Sequence, residues 1–248
     1  MSMDLTGISN KNEYYTTHYF STIFAENAAD TISAWREKAR DEHGRTPWAS
    51  LRDVSRLYYA AHEKSERARI DSQVLPYICE MADGFLEALG YPKAEPRQEW
   101  VIPDPLAAYP YLQINKQNGT PLLWVLLSNT LEDNEGILNE FSFDPASVDP
   151  DRPGETTSGI SNEELASKIF FSLDKPPRWL IFIGASQIAL LDRNKWNDKR
   201  YLCFDLNEIF GRREESTLQA MAVLLHRNRG IDYRSICCDP AGRSDLRR

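Results

Sequence analysis

The stretch that decides the fold is YLQINKQNGTPLLWVLLSNT, residues 111–130. Two apolar runs flank the pair Asn118–Gly119, the strongest short-range signal for a β-hairpin. The second run, PLLWVLLS, is apolar at nearly every position. A strand of that kind is buried on both faces, so it is expected in the middle of a sheet with helices on either side.

Strand-like runs are read at Gln98–Ile102, Tyr111–Lys116 and Pro121–Ser128. A second hairpin is expected from RWLIFIG (178–184) and SQIALLD (186–192), turning at Gly184–Ala185. RYLCFDL (200–206) gives a further strand. Before Pro92 the periodicity is helical. Phe20, Phe24, Ala28, Ile32, Trp35 and Ala39 form one stripe, and Leu51, Val54, Tyr58 and Ala61 another, behind a Thr46 cap and Pro47. A third stripe holds Ile70, Val74, Ile78, Met81 and Phe85, with a kink or split expected at Pro76 and an end at Gly90 and Pro92.

Residues 131–166 carry ten acids against the single base Arg152, with Pro, Gly, Ser and Thr through the middle, and read as a solvated loop. Ser161 and Glu164 form a capping box for a short helix through Phe171. A last helix runs through ESTLQAMAVLLHR with Leu218, Met221, Ala222 and Leu225 on one face. The order is that of an α+β fold: an N-terminal helical lobe over 1–92, a mixed-sheet core with flanking helices over 93–227, and an irregular tail over 228–248. The tail, with its crowded arginines and the Cys237–Cys238 pair, is open to three readings: a truncation product, a disordered linker or an exposed basic arm.

The chain has 248 residues and a formal charge of −8, at a sequence pI near 5.1. That balance is unlike the basic surface of a compact nucleic-acid binder, although a local basic face is compatible with it. No run is long enough to span a bilayer, and no signal peptide opens the chain. The four cysteines show no CxxC spacing, which argues against structural zinc and for a reducing, cytoplasmic compartment. Cys79 and Cys203 read as small core residues. His226 falls at a helix C-terminus, where a cation suits the dipole. His18, His43 and His62 read as solvated or structural.

Motifs for phosphate loops, dinucleotide binding, nucleophile elbows and zinc hydrolases are absent from the sequence. The hairpin raises its own chemical question. Mg-dependent phosphodiester hydrolysis places an acid near the first strand of such a hairpin and an acid-x-lysine pair late on the second. Here the acid slot is Leu126 and the lysine slot Ser128, with Asp104 ahead of the first strand as a remaining acid. Neither slot residue can hold a metal or orient a water. Lys116 is on the wrong strand.

The stretches ISNKNEYYTTHYFSTIF, GTPLLWVLLS, PPRWLIFIGASQIALLDRNKW and RYLCFDLNEIFGRREESTLQAMAVLLHR resemble the N-terminal region of large type IIG-like restriction–modification methyltransferases. That class includes the adenine methyltransferases of DISARM-type phage-defence systems. The resemblance covers most of residues 8–227. It implies a restriction-endonuclease-like, PD-(D/E)xK core, followed in such proteins by a helical connector and an S-adenosylmethionine-dependent methyltransferase domain. This chain departs from the class in lacking the acid-x-lysine pair and any Asn-Pro-Pro-Tyr, so neither cleavage nor methylation is implied for it.

Three readings follow. In the first, the chain is a catalytically degenerate nuclease-like module that contacts DNA or other defence-system proteins and has no cofactor of its own. In the second, it is an active Mg-dependent endonuclease drawing on Asp104 with Glu132 or Asp133. In the third, it is a scaffold with no nucleic-acid role. If DNA is bound, the expected face is Arg193, Lys195, Lys199, Arg200, Arg212 and Arg213.

Overall fold

The computed structural model describes residues 3–67, 74–94, 110–129, 136–143 and 157–227. The expected strand at Gln98–Ile102, together with Ile70, Asp104, Glu132, Asp133 and the tail, lies outside them. The fold is mixed α+β, with a curled mixed sheet and flanking helices.

Among the described residues, eight strands form one sheet: β1 (Ile8–Lys11), β2 (Leu112–Asn115), β3 (Pro121–Asn129), β4 (Phe141–Phe143), β5 (Thr157–Ser161), β6 (Trp179–Ile183), β7 (Gln187–Asp192) and β8 (Tyr201–Asp205). Their order is β1-β8-β7-β6-β3-β4-β5, with β2 also paired to β3. The opening hairpin forms as read. β2 runs antiparallel to β3, with Leu112 opposite Val125, and Gly119 turns it at φ +77°. β6 lies parallel to β3, Leu126 facing Phe182 in register. The remaining pairings are antiparallel.

The helices are α1 (Phe24–Asp41), α2 (Pro47–Arg67), α3 (Leu75–Ala88), α4 (Asn162–Ser172), α5 (Leu206–Arg212) and α6 (Glu215–Leu225), and a π-helical turn, Tyr19–Ile23, leads into α1. Pro76 does not kink α3. It sits in the first turn, where its missing N–H costs nothing.

Alternation along the strands divides the interior. Leu123, Val125 and Leu127 of β3, Ile181 of β6 and Leu190 of β7 share one cluster with Tyr58, Phe85 and Met221 of the helices. Trp124, Leu126, Leu180, Phe182, Ala189 and Leu191 face the other way, into a smaller cluster with Leu165 and Ile169 of α4. The helices before residue 92 therefore share the sheet's core, and β1 enters the sheet itself by pairing with β8. The aliphatic stripes of α1, α2 and α3 face that core as their spacing requires.

Three further expectations need correction. Residues 131–166 are not wholly a solvated loop, because β4 and β5 lie within them and Ile137, Leu138 and Phe143 are buried. And α6 does not present one face: Thr217 to Leu225 are all buried, as expected of a helix apolar all round. His226 follows it into the interior against Trp35, ring centroids 4.7 Å apart. Gly90, at φ +73°, leaves room for it, since a Cβ there would stand 2.9 Å from Nε2. Burial pushes the imidazole down to about 4, so His226 is a neutral core ring rather than a cation on a helix end.

One charge pair is buried at the sheet. Asp192 is fully inaccessible and accepts from Arg178 Nε at 2.6 Å and Nη2 at 2.9 Å, and from the Asn194 N–H. Removing one partner of such a pair strands the other. Arg178→Ala should therefore cost about 3 kcal/mol, read as a lowered midpoint in urea unfolding. An unchanged midpoint would show that Asp192 finds other partners.

Candidate functional site

The carboxyl ends of the two parallel strands β3 and β6 are where open α/β sheets gather ligands, and where a nuclease-like hairpin would hold its charges. Leu126 and Ser128 project from β3 on the same side as Trp124, toward α4, and both are completely buried. Leu126 is part of the apolar cluster containing Phe182 and Ile169. Ser128 donates its hydroxyl to Glu140 Oε2 at 2.9 Å. The acid slot is thus filled with hydrocarbon, and the lysine slot by a hydroxyl already engaged.

Glu140 is the residue that the sequence reading missed. It counted among ten acids of a solvated run, yet it is only 5% exposed. Its neighbours explain the difference: Ile137, Leu138 and Phe143 pull this part of the run inward. Four apolar residues within ILNEFSF, in an otherwise polar stretch, were the available signal. The carboxyl lies against the β6–β7 turn so closely that a Cβ on Gly184 would meet Oε2 at 2.6 Å. Desolvation raises its pKa to about 7, against the opposing pull of the Ser128 hydroxyl.

The turn carrying Glu140 is stitched to its surroundings. Gln187 Oε1 accepts from the Ile137 N–H at 3.0 Å and from the Cys203 thiol at 3.5 Å. Asn162, wholly buried at the start of α4, donates Nδ2 to the Ile137 carbonyl at 2.6 Å and accepts from Ser142 Oγ at 2.8 Å. The first N–H groups of α4 are spent on the same turn, Asn162 N on the Glu140 carbonyl and Glu163 N on that of Leu138, while Ser161 Oγ caps Glu164 N. The capping box expected at Ser161 is thus formed by its Ser half. Burial pushes the Cys203 thiol up to about 11 and that of Cys79 to about 12, so neither is an activated nucleophile. Among the described residues, no three His, Cys, Asp or Glu side chains converge as a metal group would require.

Five of the six basic residues make contacts within the chain. Lys195 reaches inward, Nζ donating to the Tyr14 carbonyl at 2.6 Å and lying 4.3 Å from the Tyr14 ring centroid. Lys199 pairs with Glu163 at 3.0 Å, bonds Ser167 Oγ at 3.1 Å and covers the Trp196 ring. Arg200 pairs with Asp198, and Arg212 with Asp4 across the sequence. Arg193 donates to the Pro176 carbonyl. Arg213 ends α5 in a left-handed conformation, with its side chain exposed. Asp104, the third position of the nuclease pattern, lies outside the described residues.

No family model, curated protein or solved structure matches this chain.

Rebuilding the two slots tests the geometry. Leu126→Ala should cost about 2–5 kcal/mol as a core truncation. Leu126→Glu with Ser128→Lys, which puts charge at two fully buried positions, should cost more and give a poorly folded protein in circular dichroism and urea melts. A stable double variant would show that this space opens to solvent.

Proposed function

We propose that the chain is a catalytically degenerate, nuclease-like module of a restriction–modification or phage-defence methyltransferase, acting in the cytoplasm by contacting DNA or a partner protein. The supporting observation is that Leu126 and Ser128 are both wholly buried beneath α4, so the places that would carry acid and lysine hold neither. The β2–β3 hairpin, followed by a crossover through α4 to β6 parallel with β3, is compatible with a restriction-endonuclease-like core. S-adenosylmethionine would belong to a separate methyltransferase domain, and this chain would bind no cofactor of its own.

The pairing of the basic side chains favours a protein partner over DNA. Lys199, Arg200 and Arg212 are already neutralised by Glu163, Asp198 and Asp4, in a chain of formal charge −8.

Purified protein mixed with DNA and Mg or Mn should leave the DNA uncut, and metal-dependent cleavage would refute the proposal. A salt titration separates the two kinds of contact. Binding through phosphates weakens steeply as salt rises, and Arg212→Ala with Arg213→Ala should then weaken it equally on every sequence. Absence of DNA binding even at low salt would favour the reading of a scaffold with no nucleic-acid role.

A further inference from the structure

The Glu140 cluster has a use that depends neither on nuclease ancestry nor on any partner. A carboxyl group this deeply buried must either hold its proton or be matched by donors. Among the described residues, the groups facing it are the Ser128 hydroxyl from β3, the Gly184 backbone from the β6–β7 turn and the Cys203 thiol from β8. Among the described residues no cation acts on it, and α4 offers the uncharged Asn162. Asp205 and Lys11 act on the Cys203 thiol. Ionised, the carboxylate has one donor among the described residues, the Ser128 hydroxyl; protonated, it fits.

The same turn holds α4 to the sheet. The bonds Asn162 N to Glu140 O, Glu163 N to Leu138 O, Asn162 Nδ2 to Ile137 O and Ile137 N to Gln187 Oε1 all run through residues 137–140. Lifting that turn would bring Glu140 to water and would break these bonds together.

We propose that Glu140 is a proton-operated latch: protonated, it seats the 137–140 turn against Ser128 and Gly184 and fixes the start of α4 on the sheet; ionised, it releases both. The turn is the bistable element, and the proton is the ligand that binds only its closed form.

The sign follows from linkage. The closed form binds the proton more tightly than an open, solvated carboxyl, so closure is fully favoured below the ordinary pKa of 4.5 and weakens until the closed-state value of about 7 is passed. With those two values, the population of the open turn should rise about thirtyfold between about pH 5.5 and about pH 8.5.

Hydrogen exchange on the whole chain tests this, with each amide's rate divided by its intrinsic rate at the same pH. The Ile137, Asn162 and Glu163 amides should lose protection by about that factor, while Leu190 and Leu202 in the β7–β8 ladder keep theirs. Glu140→Gln, uncharged at every pH, should hold the three amides at constant protection. Ser128→Ala, which removes the donor to the ionised form, should move the transition to higher pH; this variant carries the test if the Gln variant does not fold. Equal loss at Leu190 and Leu202 would mean global unfolding and overturn the latch. So would a pH profile shared by the wild type and Glu140→Gln, or, should that variant not fold, one unmoved by Ser128→Ala.

Discussion

The structure depends on one constraint: β3 is buried on both faces. Leu123, Val125 and Leu127 are packed under the N-terminal helices and α6, and Trp124, Leu126 and Ser128 under α4. Each apolar side chain taken from water contributes roughly 1.5–3 kcal/mol, and the alternation lets one strand serve two cores. The consequence is chemical as much as structural. A strand with helices on both sides has no place along its length for an unpaired charge. Leu126 and Ser128 are what such a strand tolerates, and the same packing that makes β3 the centre of the sheet leaves it unsuited to hold a metal ion.

That constraint also orders the rest of the sheet. With β3 saturated on its faces, variation is confined to its ends and neighbours. β6 joins it in parallel by way of α4, while β2 and β4 pair with successive parts of its length, β2 along Pro121–Val125 and β4 at Ser128–Asn129. The carboxyl end of β3, where β4 takes over, is where polar side chains enter the interior: Ser128, Glu140, Ser142 and Asn162 are buried within a few residues of one another in the pairing. Buried polar groups are tolerated when each finds a partner. Ser128 has Glu140, Ser142 has Asn162, and Asn162 has the Ile137 carbonyl.

How much of this could be read from residues alone follows from the kind of signal each element carries. The two hairpins, β8, α4 and the helical stripes were legible because their cues are local: Asn118–Gly119, the Ser161 cap, and Leu51, Val54, Tyr58 and Ala61 at helical spacing. β1, β4 and β5 were not. They are three to five residues long and owe their conformation to the strand beside them rather than to their own composition. The burial of Glu140 escaped for the same reason, since the acids around it set the average and only its immediate apolar neighbours betray it. α6 was legible as a helix but not as one buried on every side, because its helical stripe was visible while its neighbours were not. The basic residues illustrate the limit most clearly. Sequence shows six cations near one another along the chain, but that Arg212 is matched by Asp4, and Lys199 by Glu163, is a fact of tertiary structure.

The polar interior shows the same preference for neutrality that β3 shows along its length. Glu140 and His226 lie in different parts of the fold, one at the carboxyl end of β3 and one behind α6, and burial moves them in opposite directions, the acid up to about 7 and the base down to about 4. Both shifts favour the uncharged form. Their linkages oppose each other: the acid's neutrality costs stability as pH rises from 4.5 toward 7, and the base's neutrality costs stability as pH falls from 6.5 toward 4. Asp192, in the same interior, accepts two hydrogen bonds from Arg178 and a third from the Asn194 N–H. Among the described residues Glu140 has no such cation: Arg178 ties Asp192 in place from two donors, whereas the Glu140 carboxyl meets the single hydroxyl of Ser128.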